Sequence, residues 1–169
     1  LPWTENGKVL VHGPDGVIPV GIVQGSDGRF YGATYAGGLY DGGTLYAFDL
    51  ANGLVVFHSF PQDPFYGAYM PSPLVQASDG NFYGTTRTGG TSVPLGYGTL
   101  FRVTPAGEFT ELHSFVQDEG ERPGALIQAS DGYLYGAAQL GGTGGGAGPD
   151  GSGYSGGGTI FRSDLAGNV

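Results

Sequence analysis

A serine beside an aspartate recurs three times, in "QGSDGRFYGATYAGG" from Gln24, "QASDGNFYGTTRTGG" from Gln76 and "QASDGYLYGAAQLGG" from Gln128. The chemistry such a pair suggests is nucleophilic, a hydroxyl that attacks and a carboxylate that orients a base. Three histidines, His12, His58 and His113, are the available bases, and all fall at the same place in the repeated pattern. A catalytic histidine acts once, beside a distinct partner. A histidine that recurs with a period is expected to serve structure, donating to a neighbouring turn or backbone. Asp27, Asp79 and Asp131 read as turn aspartates, which bond their own backbone and tolerate positive φ. Ser26, Ser78 and Ser130 belong to the same turns, and no catalytic residue is assigned.

Features that break the period are better candidates. "VQDEGERP" gathers Asp118, Glu119 and Glu121 in one loop, and Asp63 matches Asp118 in following its histidine by five residues. Calcium suits such oxygen ligands, but the spacing fits no EF-hand loop, and "GGAGPDGSG" at 145–153 has one aspartate without a continuing repeat. The expectation is a solvated acidic loop, with no metal or other cofactor. Glu119 and Glu121 show no sign of flanking a cleft as a glycosidase pair does, so a propeller hydrolase or lyase ranks last. Tyr40, Tyr97 and Tyr154 lie in the variable connections; with Tyr35, Tyr66 and Tyr69 they could present flat rings to a polysaccharide.

The elements that position these residues must come from a glycine-rich chain. Of 169 residues, 36 are glycine and 11 proline, yet 39% are hydrophobic and 22 are aromatic, far too much apolar material for a solvated coil. A compact chain of this length buries about 70% of the surface its unfolded form exposes. The formal charge of −9 disfavours nucleic acid and anionic membrane surfaces as partners. Cysteine is absent, which removes disulfides and thiolate sites, and no apolar run approaches the ~20 residues of a membrane span. Because it begins at Leu1, the chain reads as a processed product or part of something longer.

Ser26, Ser78 and Ser130 step by 52 residues, as do the Tyr-Gly pairs at 31, 83 and 135 and the Gly-Gly pairs at 37, 89 and 141. Downstream, the Gly-Thr pairs at 43, 98 and 158 shift because the preceding connection grows from four to seven to fifteen residues. Indels confined to one connection mark it as a surface loop. In the second unit "PLVQA", "NFYGTT", "GTLFRVT" and "EFTELHSF" read as four strands, rich in β-branched and aromatic residues. Asp79-Gly80 suits the two positive-φ positions of a type I′ hairpin. Meanders repeating at this interval predict all-β, four-stranded antiparallel blades in tandem, β-propeller-like. Blades covered on both faces would account for the nearly continuous apolar run "LVVFHSF" at 54–60.

The succession "ELHSF … ALIQASDGYLYGAAQLGG … GGTIFR" resembles the GloVer tandem repeat, and the resemblance covers nearly the whole chain. It implies a propeller-like bacterial protein that is exported and placed outside the cell or on its surface, and it supplies no catalytic residues. The long loop 143–157 and a degenerate first unit depart from it.

The boundaries read as an N-terminal strand and connection at 1–21, unit 1 at 22–73, unit 2 at 74–125 and an incomplete unit 3 at 126–169, all in one repeat domain. Residues 6–12 align with 52–58, the fourth strand of a unit, while "LAGNV" stops where such a strand should start. One blade is thus expected to be split between the two ends. An unpaired edge invites strand addition, and the expected partners are copies of the chain itself. Val9, Leu10 and Val11 form the donated strand, with Trp3 as an anchor, and Thr159, Ile160 and Phe161 form the receiving edge. The expected function is that of a non-catalytic extracellular structural protein assembling into a ring or filament, with polysaccharide binding through the loop tyrosines as the alternative.

Overall fold

The structure, a computed structural model, describes residues 13–63, 67–91, 96–143, 146–147, 153–154 and 156–169. After a short 3-10 turn at Gly13–Asp15, β1 (Val17–Gln24), β2 (Phe30–Ala36), β3 (Thr44–Asp49) and β4 (Gly53–Ser59) form an antiparallel sheet in chain order. A two-strand ribbon of β5 (Gln62–Asp63) and β6 (Gly67–Ala68) leads to the second sheet, made by β7 (Val75–Gln76), β8 (Phe82–Thr86), β9 (Thr99–Val103) and β10 (Phe109–Ser114). In the third, β11 (Glu121–Pro123) and β12 (Ile127–Gln128) pair successive halves of one edge of β13 (Leu134–Leu140). A ribbon of β14 (Gly146–Ala147) and β15 (Gly153–Tyr154) precedes β16 (Thr159–Ser163), which pairs the other edge of β13.

The chain is all-β, with four-stranded antiparallel blades in tandem, and it is β-propeller-like. The first strands enter their sheets earlier than the boundaries at 22 and 126 placed them, at Val17 and Glu121. The N-terminal half of the expected split blade, including Trp3, Val9, Leu10, Val11 and His12, lies outside the described residues.

The Ser-Asp-Gly turns differ from the expected type I′ geometry. Gly28, Gly80 and Gly132 have φ of 82°, 82° and 85°, but no aspartate of these turns has positive φ. Gly80 N donates to Ala77 O at 2.9 Å, and Ala77 N donates to Asn81 O at 2.9 Å. This is a three-residue loop, a type I turn closed by a left-handed glycine, which keeps the strands' twist with one positive φ instead of two. The aspartate explains the choice: from negative φ, Asp79 Oδ1 accepts Asn81 N at 3.0 Å, as Asp27 and Asp131 accept Arg29 N and Tyr133 N.

The Tyr-Gly period has a packing cause. Gly32, Gly84 and Gly136 sit opposite Tyr46, Phe101 and Phe161 in the ladder, and a Cβ on any of them would collide with that ring. An aromatic ring laid across a cross-strand glycine covers the bare backbone. The Gly-Thr threonines act differently. Thr44 Oγ1 donates to Asp15 O at 2.9 Å and Thr159 Oγ1 to Glu119 O, tying the third strands of units 1 and 3 to the segment ahead of the first.

Among the described residues two apolar cores lie between the sheets. Tyr31, Ala33, Leu45, Ala47 and Phe60 of the first meet Leu74, Phe82, Phe101 and Val103 of the second. Tyr83, Leu100 and Phe115 of the second meet Leu126, Leu134 and Phe161 of the third. Each sheet therefore has a forward face toward the next unit and a rear face toward the one before. Strand β4 is not covered on both sides as "LVVFHSF" suggested. It is an outer strand, half-buried along most of its length, with Val55 exposed.

A further repeated feature escaped the sequence pattern. Ile18, Met70 and Arg122, each preceding a proline and spaced 52 apart, have φ of 59°, 52° and 58°. A left-handed L-residue costs roughly 1–2 kcal/mol, and the following proline further disfavours helical conformations. The bend is thus imposed by the sheet rather than chosen by the local residues.

Candidate functional site

Three equivalent clusters form around the Ser-Asp-Gly turns. Asp27 Oδ2, Asp79 Oδ2 and Asp131 Oδ2 accept the hydroxyls of Tyr31, Tyr83 and Tyr135 at 2.7, 2.8 and 2.8 Å. With one oxygen held by a backbone N–H and the other by a tyrosine, each carboxylate is engaged on both sides. Burial and the adjacent Asp27 push the Tyr31 hydroxyl up to about 12. Tyr83 is raised by the same causes, and Tyr135 mainly by its bond to Asp131. All three phenols therefore stay protonated and donate. The bonds from Tyr83 and Tyr135 help hold Asp79 and Asp131 below the usual carboxylate range.

An arginine joins each cluster, from the third strand in units 2 and 3 and from the turn in unit 1. Arg102 and Arg162 stand opposite Tyr83 and Tyr135 in the ladder. Ala47 takes that place opposite Tyr31, and there the cation is Arg29 of the turn, whose Cζ lies 5.5 Å from the Tyr31 ring centroid. Arg29 also pairs with Asp49 at 3.5 Å.

These clusters join one unit to the next. The Tyr31 hydroxyl lies 3.4 Å from Pro105 O, and that of Tyr83 lies 3.3 Å from Leu165 O, the equivalent turn one unit on. The serines are joints as well. Ser26 N donates to Gln76 Oε1 at 2.9 Å, and Gln76 Nε2 returns a bond to Ser26 Oγ at 3.2 Å. Ser78 and Gln128 repeat the pair at 2.8 and 3.1 Å. Sequence reasoning read these serines only as turn residues; the glutamine fifty residues downstream, present in every unit, was the signal. Gln76 also bonds Gly80 O at 3.0 Å, whereas among the described residues the Gln24 side chain makes only a 3.3 Å bond to Gly28 O. Replacing Gln76 by alanine is expected to lower unfolding free energy by about 1–2 kcal/mol, and the same change at Gln24 by under about 0.5 kcal/mol, as read by urea denaturation.

The expected site residues are dispersed. Thr159, Ile160 and Phe161 lie together in β16, but they alternate. Ile160 is 86% exposed, while the Phe161 ring belongs to the second core, 4.8 Å from Phe115. Phe161 can therefore offer a partner only its backbone. Tyr40 is exposed, but Tyr97 packs against the second core and is not a free aromatic platform. Tyr154 lies in β15, its side chain outside the described residues, as is Tyr66.

The acidic loop does not converge on a cation. Glu119 Oε2 accepts His113 Nε2 at 2.8 Å and Val116 N at 3.2 Å, and among the described residues no three His, Cys, Asp or Glu side chains gather as metal ligands. His113 thus bonds a turn, as expected for the repeated histidines. His58 does not. It stacks on Phe109 with centroids 3.8 Å apart and meets the Phe60 ring edge-on at 4.5 Å.

At the two ends of the array the faces that are cores elsewhere each carry an exposed apolar residue among the described ones. On the forward face of unit 3, Ile127 is 64% exposed and Ile160 86%, whereas Leu100, equivalent to Ile160, is fully buried. On the rear face of unit 1, Ile22 is 58% exposed, whereas its equivalents Leu74 and Leu126 are buried; Tyr46 on that face, equivalent to Phe101 and Phe161, is itself buried. The edge of β16 away from β13 has no strand partner among the described residues, although β3 and β9 pair β4 and β10 there. Among the described residues no helix is long and apolar enough to cross a membrane.

A family model described as the Gloeobacter/Verrucomicrobia repeat matches residues 6–169. No curated protein matches the chain. Thirteen solved chains do, among them an X-ray structure described as a "putative gluconolactonase", at a TM-score of 0.50 and 14% identity over 71% of this chain. The match spans 41% of that structure's length, and at this identity the likeness is one of fold.

Proposed function

We propose, for a chain that belongs to the Gloeobacter/Verrucomicrobia repeat family, a structural role: a non-catalytic repeat protein that self-associates by strand complementation, outside the cell or on its surface. The observation that carries this reading is β16. Its outer edge lacks a strand partner among the described residues, and the adjacent Ile160 is 86% exposed where the equivalent Leu100 is fully buried. A strand added at that edge would supply the fourth position that β4 and β10 fill in the other sheets, satisfying its backbone groups. The extracellular placement rests on the family resemblance.

Catalysis is left out because the repeated carboxylates are each engaged by a backbone N–H and a tyrosine, an arrangement suited to holding turns. Lactone hydrolysis, the activity named for the solved structure, is not carried over to this chain. Polysaccharide binding keeps Tyr40 as its exposed aromatic, with Tyr97 turned to packing.

Removing residues 1–12 tests the reading. Light scattering on the full chain should give a mass of two copies or more, and the truncated chain should run as a monomer. Undiminished assembly after truncation would falsify strand donation by that segment.

A further inference from the structure

Among the described residues, the polar joint between units has one unfilled half at each end of the array. Ser26 takes Gln76, and Ser78 takes Gln128. By the same rule Gln24 would receive a serine from a unit before it, and Ser130 would bond a glutamine from a unit after it. Gln24 Oε1 accepts no hydrogen bond among the described residues, and Ser130 makes none there. The apolar surfaces follow the same rule, with Ile127 and Ile160 open at one end and Ile22 at the other.

We propose that the forward face of unit 3 in one copy seats the rear face of unit 1 in a second copy, joined by Ser130 and Gln24. The proposal rests on the self-association reading and names the contact through which copies meet. Its argument is continuity with an interface the molecule already builds twice. Ser130 N donates to Gln24 Oε1 of the second copy, and Gln24 Nε2 donates back to Ser130 Oγ. The Tyr135 hydroxyl, held on Asp131 at 2.8 Å, reaches the carbonyl of the second copy's Leu50, as Tyr31 and Tyr83 reach Pro105 O and Leu165 O. Ile160 meets Ile22 as Leu100 and Leu126 share the second core. The contact is head-to-tail, so it closes into a ring or propagates into a filament depending on the rotation between copies.

Because the chain has no cysteine, a double variant carries only the thiols placed in it. In the full chain, Gln24→Cys with Ser130→Cys is treated with a short bismaleimide, which spans thiols too far apart for a disulfide. The control is Ser26→Cys with Gln76→Cys, the same joint inside one chain, which should bridge and still run as a single chain. The expected result for the test pair is a shift from the monomer band to a dimer on a denaturing gel, with a longer ladder if the assembly is open. A bridge confined to one chain would overturn the contact between copies. So would assembly in light scattering with a bridged control but no bridged test pair, and that outcome leaves strand complementation standing. A chain monomeric at every concentration overturns both.

Discussion

Replacing Leu100 by alanine should lower unfolding free energy by about 3 kcal/mol, whereas the same truncation at the equivalent Ile160 should change it by under about 0.5 kcal/mol in dilute solution. The two residues occupy one position of the repeat, the second residue of the third strand, and differ in what covers them. Leu100 is fully buried in the second core beside Leu126 and Phe115, so truncation removes transfer free energy and leaves a cavity. Ile160 is 86% exposed, and its loss uncovers nothing. Urea unfolding at low protein concentration measures both. At high concentration the Ile160 variant should instead lose mass in light scattering, because the proposed contact between copies buries its side chain. A dilute Ile160→Ala variant as destabilised as Leu100→Ala would mean that the forward face of unit 3 is covered within its own chain.

Acid should weaken the fold through His58 before it reaches the carboxylates. Burial among Phe60 and Phe109 pushes the His58 imidazole down from 6.5 to about 4. Its folded pKa lies below its unfolded one, so between those values the unfolded chain binds a proton that the folded chain refuses. Stability from this site is whole above about pH 6.5 and is lost as pH falls through about 4. The ring keeps partial solvent contact, which discounts the effect to roughly 1–2 kcal/mol over that window. Asp49, Asp79, Asp131 and Asp164 are all held below 3.8, so their contribution persists above that value and is lost only in stronger acid. Urea midpoints at pH 7 and pH 4.5 should therefore differ in the native chain, and His58→Phe should flatten the difference. A slope that survives the substitution assigns the acid sensitivity elsewhere.

The period itself marked much of the structure. Gly28, Gly80 and Gly132 recur because a left-handed turn position accepts glycine without steric cost. Gly32, Gly84 and Gly136 recur because a ring lies across each. The type of the Ser-Asp-Gly turn was misread because Asp-Gly fits two hairpin classes, and the aspartate's bond two residues on decides between them. The Asp–Tyr bond was legible in principle, since the two stay four residues apart in every unit. The site was harder to read than the fold. Tyr97 and Phe161 drew notice for residue type, yet type does not say whether a ring meets solvent or a neighbouring sheet. The strained backbone at Ile18, Met70 and Arg122 left no compositional mark, because an isoleucine, a methionine and an arginine share no left-handed preference.

The elements, their repeat and the places of the turns were legible in residue order, because strand pairing within a unit depends on alternation and turn chemistry over short stretches of chain. Packing between units set which face of each sheet looks forward and which back, and brought Ser26 and Ser78 to glutamines of the next unit. It also decided that one histidine position serves as a turn ligand in unit 2 and an aromatic stack in unit 1. Those outcomes depend on residues about fifty positions apart meeting across a packed interface. At such an interface identical repeat positions acquire different roles, because each unit has a different neighbour.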